Sequence, residues 1–199
     1  NMTVLEYGKD MIVIDCGVGF PDEDMYGVDL VIPDFSYLVA NKKKLRGMFI
    51  THGHEDHIGS IPYCMKDVNC PIHGTAMTCG LIKLKLEEHR LLDTVKLITH
   101  KPGEVVKAGC FTVEFIHVNH SIADAVAFAI HTPVGTIVMT GDFKIDPTAK
   151  DGMIDLARLG ELGNQGVLAL LCDSTNVERQ GYTPSENIVA ESLDRQFKN

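Results

Sequence analysis

Apolar residues in this chain gather in short runs punctuated by glycine, proline and carboxylates, and the runs alternate between strand-like and helix-like spacing. The opening MTVLEYGKDMIVIDCG reads as a hairpin turned at Gly8, Lys9 and Asp10, whose second arm, Met11 to Ile14, ends on Asp15. An irregular stretch with Pro21 and Pro33 precedes a short helix over residues 35–44 and a buried strand over 45–50. Ile58, Ile61, Pro62 and Met65 are then spaced as one helix over 57–67. A short strand over 71–74 leads into an amphipathic helix over 75–89, with Met77, Leu81 and Leu84 assigned to the core. Five strands are expected next, over 95–98, 104–106, 111–117, 125–131 and 136–140. A helix over 153–162, a buried strand over 167–171 and a helix opening at Thr183, Pro184, Ser185 and Glu186 complete the chain, the last running to Asn199 without a stop signal. The pattern is that of one mixed α/β unit without repeats, low-complexity tracts or long linkers.

Composition narrows the class. The 199 residues, 45% of them hydrophobic, suffice for one substantial core. No run of about 18 apolar residues and no signal-peptide pattern is present, so a soluble cytoplasmic protein without a membrane span is expected. The six cysteines form no CxxC pair, which argues against a cysteine-based zinc knot or a redox pair and for buried thiols. A net charge of −9 disfavours binding nucleic acid through a broad cationic surface. Function must therefore be sought in a site.

The strongest candidate is THGHEDHIG, directly after the strand over 45–50, where His52, His54, Asp56 and His57 form an HxHxDH pattern. Neutral imidazoles and a carboxylate are the ligands that a borderline cation such as zinc prefers. One loop cannot complete two metal positions, and further ligand types stand at later strand ends: His117 and His120 in HVNHSIAD, and Asp142 after Gly141 in VMTGDFKID. His117 lies within the strand pattern and reads as an ordinary histidine, so His120 is the stronger ligand candidate. His73, His89, His100 and His131 read as structural or surface residues, and Asp146 as a turn residue before Pro147. Asp173 to Asn176 either caps a strand end or lines a cleft, and the run Lys42, Lys43, Lys44 with Arg46 reads first as a solvated helix end.

With THGHEDHIGSIPY, NHSIADAVAFAIHTPVGTIVMTGDFKID and DSTNVERQGYTPSE in the same order, the chain resembles the metallo-β-lactamase fold superfamily and, within it, the β-CASP nucleases of the bacterial ribonuclease J type. That resemblance implies an α/β (α+β) αββα sandwich, here mainly its first half. Residues 1–176 would be the N-terminal part of the metallo-β-lactamase domain and 177–199 the start of a truncated β-CASP insertion. It also implies that His52, His54 and His120 hold one divalent metal ion, that Asp56 and His57 serve a second, that Asp142 bridges them, and that Asp15 braces the histidine loop. Zinc is the first choice for both ions, with manganese the alternative.

The implied activity is hydrolysis of single-stranded, 5′-monophosphorylated RNA by a hydroxide activated between two metals, with Asp56 assisting proton transfer. A homo-oligomer or paralogue complex is implied for the full-length protein. The fragment alone, lacking the closing histidine and the 5′-phosphate pocket expected further on, should be weak or inactive. Two other readings compete: a thioester or lactone hydrolase built on the same ligands, and a catalytically silent interaction subunit.

Overall fold

The structure, a computed structural model, describes residues 1–198 and contains two five-stranded sheets. In the first, β1 (Thr3–Tyr7), β2 (Asp10–Ile14), β3 (Leu45–Phe49), β4 (Ile72–Gly74) and β5 (Leu97–Thr99) lie in sequence order. The opening hairpin is antiparallel and the remaining pairs are parallel. In the second, β6 (Val105–Ala108), β7 (Phe111–His117), β8 (Val126–Thr132) and β9 (Gly135–Met139) form an antiparallel meander, with β10 (Ala169–Leu171) parallel to β9 at the edge.

The side-chain period of two sorts each strand between layers. Met11 and Val13 of β2 join one core cluster, while Ile12 and Ile14 join another with Phe49, Phe115 and Phe128. On β8, Val126, Phe128 and Ile130 face that inter-sheet core, and Ala127 and Ala129 face a third cluster with Ile154 and Leu162. Strands covered on both faces read as continuous apolar runs, which is why MIVI and AVAFAI carry no polar alternation. After two short helices, α1 (Ser36–Ala40) and α2 (Glu55–Ile58), helices α3 (Ile61–Asp67) and α4 (Ala76–Glu88) close the outer face of the first sheet, and α5 (Leu156–Gln165) closes that of the second. The order of layers is helix, sheet, sheet, helix.

Three expectations are corrected here. The helix over 57–67 is broken into a short turn, Glu55–Ile58, and α3. Ser60 interrupts it by turning its amide and hydroxyl to the backbone carbonyls of Cys16 and Gly17, at 2.9 and 2.7 Å, and Pro62 starts the new helix. On α4, Met77 and Leu84 are 46% and 62% exposed, and the buried stripe is Thr78, Cys79, Ile82 and Leu86. The helix is rotated by about one position, because the 3.6-residue period with apolar residues all round does not say which face is inward. Leu170 and Leu171 are largely exposed, since β10 has a single neighbour and no described element covers its outer face.

The last helix, α6 (Glu186–Phe197), begins as expected: Ser185 Oγ accepts from the Asn187 amide at 3.1 Å. None of its residues is buried. The expected continuation to Asn199 falls outside the described residues. No helix among them is long and apolar enough to cross a membrane.

Candidate metal centre

Parallel pairing of β2 and β3 brings their C-terminal ends to one edge, so Asp15 and the 51–57 segment emerge side by side. In the second sheet β7 and β9 point the same way, both antiparallel to β8, and deliver His120 and Asp142 to a common edge. The two edges are joined where the Val126 amide donates to the Thr51 carbonyl at 3.0 Å. Gly141, with φ +56°, lets the Asp142 segment pass Thr51 so closely that a Cβ there would lie 2.8 Å from Thr51 Cβ.

Asp15 is buried and adopts φ +59°, a left-handed conformation that aspartate tolerates, and this turns its carboxylate under the histidine segment. Oδ1 accepts from the Thr51 amide at 2.8 Å, and Oδ2 from the Thr51 hydroxyl at 2.9 Å and from His57 Nδ1 at 2.8 Å. With its proton given to Asp15, the Thr51 hydroxyl can accept from His52 Nδ1, 3.0 Å away. This network assigns Nδ1–H to both rings and leaves both Nε2 atoms facing the centre. Asp15 thus holds Thr51 and His57 together from beneath the segment.

His52 Nε2 lies 3.0 Å from His54 Nδ1, which lies 3.1 Å from His120 Nε2. Three imidazole nitrogens aimed at one point repel unless a proton or cation sits between them, so the donor set fits a divalent ion of the zinc class. A second group of converging atoms comes from His52, His57 and Asp142. Asp142 Oδ1 is 3.4 Å from His57 Nε2, and Asp142 Oδ2 is 3.7 Å from His120 Nε2, which puts this carboxylate between the two groups. Asp56 approaches His57 from the other side, with Oδ2 3.5 Å from Nε2.

Burial, reinforced by His57 and His120 close by, pulls His52 down to about 2, which keeps it unprotonated as a ligand must be. Burial also lowers His120. At His57, burial pulls downward, but hydrogen bonds to Asp142 and Asp15 outweigh it and raise the ring to about 9. The same bond to His57 holds Asp142 at about 2, an ionised carboxylate across the whole ordinary pH range.

One residue at the centre gave no signal in sequence. The Asn1 amide Nδ2 donates to Asp56 Oδ2 at 3.0 Å and lies 3.0 Å from His57 Nε2. It lines, with Asp142 and Asp173, a cavity of roughly 260 Å³ beside His57. A second polar chain was missed: His73 Nδ1 meets His100 Nε2 at 2.9 Å, and His100 Nδ1 meets Glu104 Oε2 at 2.9 Å. His73 and His100 are 27 residues apart in sequence, and the parallel register of β4 and β5 brings them together. They lie outside both ligand groups.

The ordinary readings hold elsewhere. The His117 ring meets the Gly152 carbonyl at 3.4 Å and lies outside both ligand groups. Asp146 Oδ1 closes a turn onto the Thr148 amide, and Oδ2 additionally caps α6 through the Glu186 amide, each near 2.9 Å. Asp173 both makes a turn with Thr175 and faces the cavity. Lys44 and Arg46 are paired with Glu6 and Asp10, which leaves neither as a free cation for a phosphate.

A family model described as Metallo-beta-lactamase superfamily matches residues 1–186. The chain is 48% identical to a protein named Ribonuclease J from Synechocystis, over 99% of this chain and 31% of that one. It is also 48% identical to Ribonuclease J of Helicobacter pylori, over 100% of this chain and 29% of that one. The chain therefore spans about a third of the length of these curated relatives. A crystal structure of an Enterococcus faecalis V583 protein of unknown function superimposes with a TM-score of 0.65 at 19% identity, covering 97% of this chain and 53% of the other, a likeness of fold.

Proposed function

The chain belongs to the metallo-beta-lactamase superfamily, and from that premise we propose that it carries the metal-binding part of a ribonuclease that hydrolyses RNA phosphodiester bonds. The observation that carries this reading is the convergence of three histidine nitrogens beside His57, Asp56 and Asp142. It occurs in a chain 48% identical to proteins named Ribonuclease J.

In this reading His52, His54 and His120 would hold one divalent cation, Asp56 and His57 a second, and Asp142 would bridge the two. Such a pair of cations supplies Lewis acidity to phosphoryl oxygens and lowers the pKa of water. Zinc suits this mixed nitrogen and oxygen set best, with manganese the alternative.

The chain's own residues prepare the site. Thr51 and Asp15 orient the rings of His52 and His57 through Nδ1. Burial keeps His52 free of protons, and Asp142 stays ionised. Asp56, whose side chain is 41% exposed, would take a proton from an attacking water. The proposed substrate is single-stranded RNA with a 5′-monophosphate, acted on in the cytoplasm by a parent that assembles with like subunits. Residues 1–176 are assigned to the metallo-β-lactamase domain and 177–199 to the start of an insertion, which agrees with α6 burying none of its residues against the three core clusters.

Parallel assays of the full-length parent on 5′-monophosphorylated RNA and on a panel of thioesters and lactones test the reading. RNA cleavage that a chelator abolishes and added zinc or manganese restores is expected. Thioester turnover without RNA cleavage would overturn it.

A further inference from the structure

Asn119 precedes His120 and is fully buried, with 0% exposure. Its amide is used at both ends. Nδ2 donates to Asp151 Oδ1 at 3.0 Å and to the Gly152 carbonyl, and Oδ1 accepts from the Ile154 amide at 2.8 Å. Its backbone carbonyl accepts from the Lys144 amide at 2.8 Å, an isolated bridge two residues beyond Asp142. One residue therefore ties together the segment that carries His120, the segment that carries Asp142, and the stretch 151–154 that leads into α5.

Neither ligand segment is regular: apart from that bridge, residues 118–125 and 140–155 form no helix or strand. The placement of His120 and Asp142 relative to each other cannot come from a ladder of backbone bonds, as it does for residues at the end of β3. It has to come from local ties: the Asn119 carbonyl reaches the Lys144 amide beside Asp142, and the Asn119 side chain fastens the His120 segment to 151–154, the far end of the stretch that carries Asp142. An amide is also the group the place requires, since two acceptors face its nitrogen and one donor faces its oxygen. A carboxylate of the same shape would set oxygen against Asp151 and the Gly152 carbonyl.

We infer that Asn119 is a positioning residue for the metal centre, holding the two ligands of the second sheet, His120 and Asp142, in register with the four of the first. The inference rests on the metal-binding reading given above. It assigns no contact between Asn119 and metal or substrate.

The test is zinc affinity and the visible spectrum of the cobalt-substituted protein for the wild-type chain, Asn119→Asp, Asp151→Asn and the double substitution, with thermal unfolding followed alongside. Asn119→Asp is expected to weaken zinc binding by about 10- to 100-fold, the usual effect of losing an outer hydrogen-bonding partner of a metal site. It is also expected to shift the cobalt bands per bound ion, because the ligand geometry changes. Asp151→Asn alone keeps an acceptor oxygen and should bind as the wild type does. Combined with Asn119→Asp it restores one donor–acceptor pair in the opposite direction and should recover much of the lost affinity.

Wild-type affinity and spectrum in Asn119→Asp would overturn the inference alone. So would a loss that tracks the folded fraction with unchanged cobalt bands. A wild-type chain that binds no zinc would overturn the metal reading, and this inference with it. Where Asn119→Asp does not fold, Asn119→Ser, which keeps a hydroxyl donor but shortens its reach, is expected to show the same weakening and band shift, and wild-type behaviour in it would overturn the inference.

Discussion

On the first sheet, the candidate ligands of 52–57 stand beyond a buried strand end and His57 is bonded to the Asp15 carboxylate, whereas His120 and Asp142 reach the centre from irregular segments with side chains 18% and 31% exposed. The difference teaches that the centre has a rigid half and an adjustable half. In the first, the ligand scaffold and the hydrophobic core share the same atoms: Asp15 follows β2, and Thr51 follows Ile50, itself 0% exposed. In the second, His120 stands two residues beyond Val118 and Asp142 three beyond Met139, and their placement depends on hydrogen bonds between irregular segments. Damage to the first half should cost fold and metal together. Damage to the second should cost metal with the fold kept.

The sharpest way to break this comparison is Asp15→Ala. It leaves the Thr51 amide and hydroxyl and His57 Nδ1 without their buried acceptor. A destabilisation of about 3–5 kcal/mol is expected, the range for removing one partner of a buried pair, and denaturant unfolding would measure it. A smaller effect should follow from Ile82→Ala on α4, about 3 kcal/mol for a truncated core residue. Leu84→Ala, two positions on but 62% exposed, should change stability by no more than about 0.5 kcal/mol. Equal losses at the two positions would show the helix to be turned as its apolar pattern alone suggested.

Acid should weaken the first sheet through His73. Burial, with the charges of His100 and Lys96 nearby, holds this ring at about 4, below the ordinary 6.5. A histidine with a depressed folded pKa binds its proton in the unfolded chain first, so its contribution is complete above 6.5 and is lost as pH falls from 6.5 toward 4. The loss reaches on the order of 3 kcal/mol. His73→Gln should flatten that part of the stability profile, and an unchanged slope would contradict the assignment. Only a small effect on stability is expected for His120→Ala, within about 1 kcal/mol, together with a clear loss of bound zinc by elemental analysis. Unfolding as large as that of Asp15→Ala would remove the distinction between the two halves.

Much of this was legible in the chain itself. MIVI, MFI and AVAFAI announced their strands because two covered faces demand uninterrupted apolar runs, and THGHEDHIG stood out because four potential ligands in six residues serve no packing need. Harder to read were features that depend on another segment's position. The break at Ser60 exists because the Cys16 and Gly17 carbonyls lie beside it, and the pairing of His73 with His100 because β4 and β5 are adjacent. Asn1 and Asn119 carry no ligand chemistry that a motif would flag; their importance comes from what lies within 3 Å of their amides. The face that α4 buries was ambiguous because Met77, Leu81, Ile82, Leu84 and Leu86 leave no polar side to choose against.

The central claim is that His52, His54 and His120, with His57, Asp56 and Asp142, hold divalent metal. Elemental analysis of the full-length protein purified without chelator, reported as ions per chain beside the same protein carrying His52→Ala, tests it most directly. The account predicts stoichiometric zinc or manganese in the wild type and its loss on substitution. A metal-free wild type that still cleaves RNA, or metal content unchanged by His52→Ala, would contradict it.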